Sequence, residues 1–207
     1  ILLSFGLCQC LEAQIDTTKH NELRISFLGT GNNLPFIAAE VQHFRNYSRM
    51  SAAYLKRHKK SNYFYYAEFN GAANRRSYDW KDEPIGSSTS YLVGSFVGVE
   101  HQYQYRYFGA FLAGGITGQF VNFEGDFDVP DELPIRDFIY RKYELGPSAR
   151  VTLHSNITKN AFVFLTTSMD FLYTAVDANQ QINEKIENEA YFNTVFKLNG
   201  IGLAFKF

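Results

Sequence analysis

From Asn21 onward, apolar and polar residues alternate with a period of two through most of the chain, and no apolar stripe of convincing length recurs at helical spacing. In 143–154 one face carries Leu145, Pro147, Ala149, Val151 and Leu153, the other Glu144, Gly146, Ser148, Arg150, Thr152 and His154. In 91–104, Tyr91, Val93, Val97 and Val99 oppose Gly94, Gly98, Glu100 and Gln102. In 107–121, Phe108, Ala110, Leu112, Ile116 and Phe120 oppose Gly109, Gly115, Thr117 and Gln119. Val163, Leu165, Met169 and Phe171 stand against Thr166, Ser168 and Asp170. Nearer the start, Leu23, Ile25 and Phe27 oppose Glu22, Arg24 and Ser26, while Ile37, Ala39 and Val41 oppose Ala38, Glu40 and Gln42. The chain ends on Ile201, Leu203, Phe205 and Phe207 as one apolar face. The pattern predicts an all-β protein whose strands each have one apolar side.

Counting back from Phe207 places eight strands near 190–207, 160–174, 141–154, 107–123, 89–104, 48–57, 34–45 and 21–29. Short polar turns fall at 46–48, 104–106 and 155–159, and longer connections near 80–88, 124–139 and 175–188. The segment 58–80 does not fit this count. Its Tyr63-Phe64-Tyr65-Tyr66-Ala67-Glu68-Phe69 run has strong strand propensity, so it reads either as a hairpin extending the strands of an eight-stranded barrel beyond the membrane, the favoured reading, or as an additional membrane pair making ten. No internal repeat, linker or low-complexity stretch marks a second domain.

Composition narrows the class. With 20 basic and 21 acidic residues the chain has no global attraction for nucleic acid. Phe and Tyr together, 20 and 14 of 207 residues, suit a β-protein with aromatic girdles. No run of 18 apolar residues exists, which excludes a membrane-spanning helix but not a closed barrel, whose strands need only about nine to eleven residues per crossing. Ile1 to Leu11 reads as the truncated apolar core of a secretory signal peptide, with a cleavage site at Ala13 before Gln14. The expected organisation is thus a leader at 1–13 and one domain at 14–207. Both cysteines, Cys8 and Cys10, lie in the leader, so no disulfide or thiolate chemistry is expected of the mature chain.

With these features assembled, the chain resembles small bacterial outer-membrane barrels of the OmpA transmembrane-domain and OmpX kind. The stretches Leu145-Gly146-Pro147-Ser148 and Ile201-Gly202-Leu203-Ala204-Phe205-Lys206-Phe207 also look like the porin-like outer membrane protein β-barrel domain. The resemblance covers essentially the whole mature chain and is architectural. It implies a closed antiparallel up-and-down transmembrane barrel in the outer membrane of a Gram-negative cell, both termini periplasmic. It also implies that the terminal strand, with Phe205 and Phe207, is the signal read by the outer-membrane assembly machinery. Unlike full-length OmpA, the sequence carries no peptidoglycan-binding domain after the last strand, which puts that role in doubt.

Placing the apolar faces toward lipid puts Glu22, Arg24, Glu40, Glu100, Glu144, Arg150, Asp170 and Lys206 inside, where charges are tolerable only as a network. An eight-stranded barrel is just wide enough for its own side chains, so a packed polar plug is expected, with a narrow channel or transport component as the alternative. Lys56, Arg57, Lys59, Lys60, Arg75 and Arg76 form a basic group expected on the outer rim, at the height of lipopolysaccharide phosphates. Asp126, Asp128, Asp131 and Glu132 make an acidic loop, but Pro130 and the missing glycine break a calcium-loop pattern. His154 and Ser155 invite comparison with outer-membrane lipid A deacylases, yet adjacent strand residues point to opposite faces, and a nucleophile needs its base within hydrogen-bond reach. The expected role is therefore structural or surface-binding, through lipid, lipopolysaccharide or an unknown protein at the outer loops, and not enzymatic; no cofactor or metal is expected. A soluble lipocalin-like binder is disfavoured by the charges on the inner face.

Overall fold

The computed structural model describes residues 19–29, 49–59, 61–80, 83–104, 108–127, 138–180 and 186–207. The eight strands are β1 (Asn21–Gly29), β2 (Arg49–Arg57), β3 (Tyr63–Trp80), β4 (Glu83–Gln104), β5 (Phe108–Phe127), β6 (Phe138–Asn156), β7 (Ala161–Gln180) and β8 (Ile186–Lys206). Each pairs antiparallel with the next, and β1 pairs with β8, so the sheet closes into an up-and-down barrel. At the seam the Asn21 and Phe207 backbones exchange N–H···O bonds of 3.0 and 2.9 Å. Closure satisfies the backbone between strands and removes the sheet edges there.

The number of strands agrees with expectation, but their identity differs at one place. The expected strand 34–45 lies outside the described residues, and the third strand of the ring is Tyr63–Trp80. The segment 58–80 is therefore a full wall member and not an extension or an extra pair. Its period-two contrast is hard to read because both faces are aromatic: Phe64 and Tyr66 point in, Tyr63, Tyr65 and Phe69 point out. Exchanging these strands also moves the turns. Residues 58–62 form the β2–β3 turn at the rim that carries the termini, and residues 30–48 link β1 to β2 at the opposite rim. The expected long connection at 80–88 shrinks to residues 81–82, because β3 and β4 pair as far as Trp80 and Glu83.

Register fixes the geometry. Following paired residues around the ring, Glu22 leads through Leu55, Tyr66, Gly98, Gly115, Ser148 and Asp170 to Val195, whereas Glu22 itself pairs with Lys206. The offset is 206 − 195 = 11 residues, one of them a bulge residue described below. A stagger of that size requires strongly tilted strands, about 35–45° in barrels.

Outward positions are apolar and bounded by aromatics. Tyr103 and Tyr91 mark the two limits on β4, and Phe108 and Phe120 on β5, twelve residues apart in both cases (103 − 91 and 120 − 108). At about 3.3 Å per residue and a tilt of about 40°, the band is about 30 Å tall. Beyond its upper limit the outward side chains become polar, with Arg75, Glu124, Arg141 and Asp177 the first charges. An apolar band between two aromatic girdles is the outer surface of a membrane barrel.

One irregularity keeps this pattern intact on β8. The pairing with β7 shifts between Thr166 and Thr167, where Gly200 and Leu198 are the successive partners and Asn199 is left over. Below the bulge Ile201, Leu203 and Phe205 point outward; above it the even-numbered Phe192 and Phe196 do, at 83% and 76% exposure. Gly200, at φ 147°, supplies the backbone conformation that the bulge needs.

Candidate functional site: the charged and aromatic interior

Inward positions on the lower half of the barrel, nearest the termini, build a plug around Arg24. Its guanidinium donates two bonds to Glu100, of 2.7 and 2.6 Å, and a third to Glu22. Gln102 donates to Glu22 at 3.2 Å and to Glu100 at 2.9 Å, while Lys206 donates to the Gln102 carbonyl at 2.9 Å and lies 3.5 Å from Glu22. The same guanidinium faces the rings of Phe111, Phe164 and Tyr66 at 5.0, 5.8 and 5.5 Å. Charge pairing with bidentate geometry, joined to cation–π contact, is the arrangement in which a buried Arg is tolerated.

A second unit sits one layer higher. Arg150 donates to Glu68 at 2.8 Å, Tyr66 donates its hydroxyl to Glu68 at 2.7 Å, and the Arg150 guanidinium lies 3.7 Å above the Phe96 ring. Gly98 and Gly115 pair across β4 and β5 beneath that ring, where a Cβ on either would collide with it. Higher still, Lys197 pairs with Asp170 at 2.9 Å and Lys142 with Glu144 at 2.7 Å.

Of the residues expected inside, Glu22, Arg24, Glu100, Glu144, Arg150, Asp170 and Lys206 are buried in the interior, and Glu40 lies outside the described residues. Phe64, Phe96, Phe111, Phe162 and Phe164 are buried beside the charges, so the interior combines a polar network with large rings. The sequence reading also missed Arg49, Glu68, Gln102 as a bridging group, Lys142 and Lys197. Glu68 was discoverable as the only charge within the aromatic run Tyr63–Phe69. Lys197 was not, since counting by twos from Phe207 through the bulge assigns it to the wrong face.

The six cations expected on one rim do not form a cluster. Lys56 pairs with Asn21 and the Arg57 N–H donates to the His20 carbonyl at 2.8 Å, so Lys56, Arg57 and Lys59 sit at the rim of the termini. Arg75 is exposed near the opposite rim, Arg76 shares that end of β3 by its backbone, and Lys60 lies outside the described residues. Chain direction is the reason: β2 runs toward the terminal rim and β3 away from it. His154 is buried inside, stacked on Phe111 at 4.2 Å, while Ser155 is exposed outside. The wall of the barrel therefore separates that nucleophile from that base. The acidic segment beyond Phe127 and the expected leader 1–13 fall outside the described residues.

At the lower girdle Tyr103 and Phe108 are exposed, and Tyr105 and Tyr107 lie outside the described residues. Tyr63 packs edge-on against His101 at 4.6 Å, and the Tyr65 hydroxyl bonds His58 at 2.8 Å. Phe205 and Phe207 are exposed on the outer face of the seam.

No family model matches the chain, and no curated protein matches it in sequence. Among solved structures it is similar to a major outer membrane protein from Thermus thermophilus, with a TM-score of 0.54 and 10% identity over 91% of this chain and 98% of that one. The attachment invasion locus protein Ail of Yersinia pestis has a TM-score of 0.45 at 11% identity, covering 91% and 99% of the two chains. The outer membrane protein W of E. coli has a TM-score of 0.43 at 11% identity, covering 91% and 98%. The likeness to the Thermus protein is one of fold: a closed barrel over nearly the full length of both chains.

Proposed function

We propose that this chain is an integral β-barrel of the bacterial outer membrane, with both termini periplasmic, that acts as a structural or surface-binding protein and does not conduct. The observation that carries this reading is the pairing of a 12-residue outward apolar band, bounded by Tyr91 and Tyr103 on β4, with an inward face of closed ion pairs and packed rings. The band suits lipid, and the plug around Arg24 fills the bore. The rim opposite the termini carries the connections 30–48 and 128–137, the natural site for a partner. Arg75 at that rim is the described cation placed to meet lipopolysaccharide phosphate, whereas Lys56, Arg57 and Lys59 would face the periplasm.

On a dodecyl sulfate gel the unheated protein should migrate as a compact, faster band that boiling abolishes, and in planar bilayers it should show no conductance. A soluble protein would give one band under both conditions, and steady single-channel currents would instead favour the channel reading.

Phe207 and Phe205, on the strand that closes the ring, are proposed as the signal for the assembly machinery. Deleting Phe207 should reduce the assembled fraction in cells several-fold while purified protein still refolds in detergent. Unimpaired assembly in cells would remove that role.

A further inference from the structure

The lipid-facing wall is not uniformly convex. Between β3 and β7 a groove of about 410 Å³ runs across it. Its floor is Ser95 on β4 and Gly118 on β5, which are paired in the register. Phe69 continues the same row on one side and Leu145 on the other, and Phe120 and Tyr143 stand above, their rings 4.9 Å apart. A row of small residues flanked by large ones has cut a channel into the apolar band. Phe120, Tyr143 and Tyr173 of its lining belong to the upper aromatic limit, so the groove lies in the half of the apolar band away from the termini.

We infer that this groove seats one acyl chain of the outer-leaflet glycolipid, lipid A, as a fixed annular site. The inference rests on the outer-membrane reading and its orientation. Three features identify the occupant. The groove is continuous with the apolar band that lipid covers, so its ordinary neighbour is an acyl chain and not water. Its walls are Phe69, Phe120 and Leu145, and its size lies within the range of small-molecule sites, about 300–1,000 Å³. In the proposed orientation, the leaflet in which the groove lies is the one made of glycolipid. The Ser95 hydroxyl on the floor and the Tyr143 hydroxyl at the mouth offer hydrogen bonds to ester and hydroxyl groups near the top of such a chain.

Gly118 makes the site testable. A Cβ placed there would meet Leu145 at 3.6 Å, ordinary contact, so a larger residue fills the groove without backbone strain. Gly114, on the same strand and face, has nothing within 4 Å of a Cβ and lies outside the groove, which makes it the control. Native mass spectrometry of the detergent-solubilised barrel, incubated with lipid A or with palmitoyl-oleoyl phosphatidylethanolamine, reads the bound lipid directly. Wild type and Gly114→Leu should retain one lipid A at activation energies that strip the phospholipid. Gly118→Leu should lower the retained fraction about tenfold, the effect of displacing about two chain methylenes.

Equal retention by Gly118→Leu and wild type overturns the site, equal retention of the phospholipid overturns its identity, and a barrel dimer lost in Gly118→Leu would show a second copy as the occupant. Should Gly118→Leu fail to fold, Ser95→Leu fills the same groove from the neighbouring strand. A protein with no heat-sensitive compact band fails the outer-membrane reading itself, whereas a folded barrel that binds no lipid A fails this inference alone.

Discussion

Replacing Arg24 with Ala is expected to destabilise the folded barrel by about 3–5 kcal/mol, because it strands two carboxylates in a dry interior. Glu22 and Glu100 are fully buried, and Arg24 donates to both. Lys206 would still lie 3.5 Å from Glu22, but Glu100 would keep only the Gln102 amide at 2.9 Å. Urea titration of the heat-sensitive band would measure the loss. Arg24→Lys should recover part of it, since one ammonium cannot reproduce the bidentate fork. The decisive comparison is the quadruple variant Arg24→Met, Glu22→Gln, Glu100→Gln, Lys206→Met, which also removes the Lys206 ammonium paired with Glu22 and should regain most of the stability. A single Arg24→Ala within about 1 kcal/mol of wild type would show that water reaches this layer and that the plug is not dry.

The second large effect concerns Gly200. The bulge keeps Lys197 inward above the outward Ile201, Leu203 and Phe205, and it rests on Gly200 at φ 147°, where a Cβ would lie 2.8 Å from the Phe27 carbonyl oxygen. Gly200→Val should disfavour the bulge, and uninterrupted alternation would then turn Lys197 from Asp170 to lipid and press Phe192 and Phe196 into the polar upper interior. A one-residue slip inverts a strand wherever its two faces differ, and a Lys at the bilayer midplane alone costs about 2–4 kcal/mol. Gly200→Val should fail to give a compact band after refolding, whereas deleting Asn199, which leaves Gly200 opposite Thr166 and Leu198 opposite Thr167 and so keeps every side chain on its side, should give one. A compact Gly200→Val variant with wild-type urea resistance would mean that the upper half of β8 does not depend on the bulge.

These two positions show what the sequence carried and what it hid. Arg24 was legible because Leu23, Ile25 and Phe27 alternate cleanly around it, so its inward direction followed from the pleat. The same logic placed Glu100, Glu144 and Arg150. It failed at Lys197, because a bulge changes parity and its one local mark, Asn199-Gly200, resembles many harmless dipeptides. It failed at β3 for another reason. In a narrow barrel the inside also needs large rings, so Phe64 and Tyr66 inside look no different from Tyr63 and Tyr65 outside. The basic group was misjudged because Lys56 to Lys59 and Arg75 are near in sequence but separated by most of the length of β3. The groove at Gly118 depends on which small residues meet across strands, and cross-strand register is not written in any single strand.

The ring is also unequal in length. β1 and β2 span Asn21–Gly29 and Arg49–Arg57, while β3 to β8 run from 18 to 22 residues. The seam joins only residues 21–27 to 201–207, strands most distant in sequence. Loop-closure entropy is greatest for that contact, and its ladder is among the shortest. Closing the cylinder is therefore expected to come late in folding, and hydrogen exchange should enter first at this zipper. Arg24 stands at that zipper with its carboxylate partner Glu100 on the far wall, a clasp drawn across the opening.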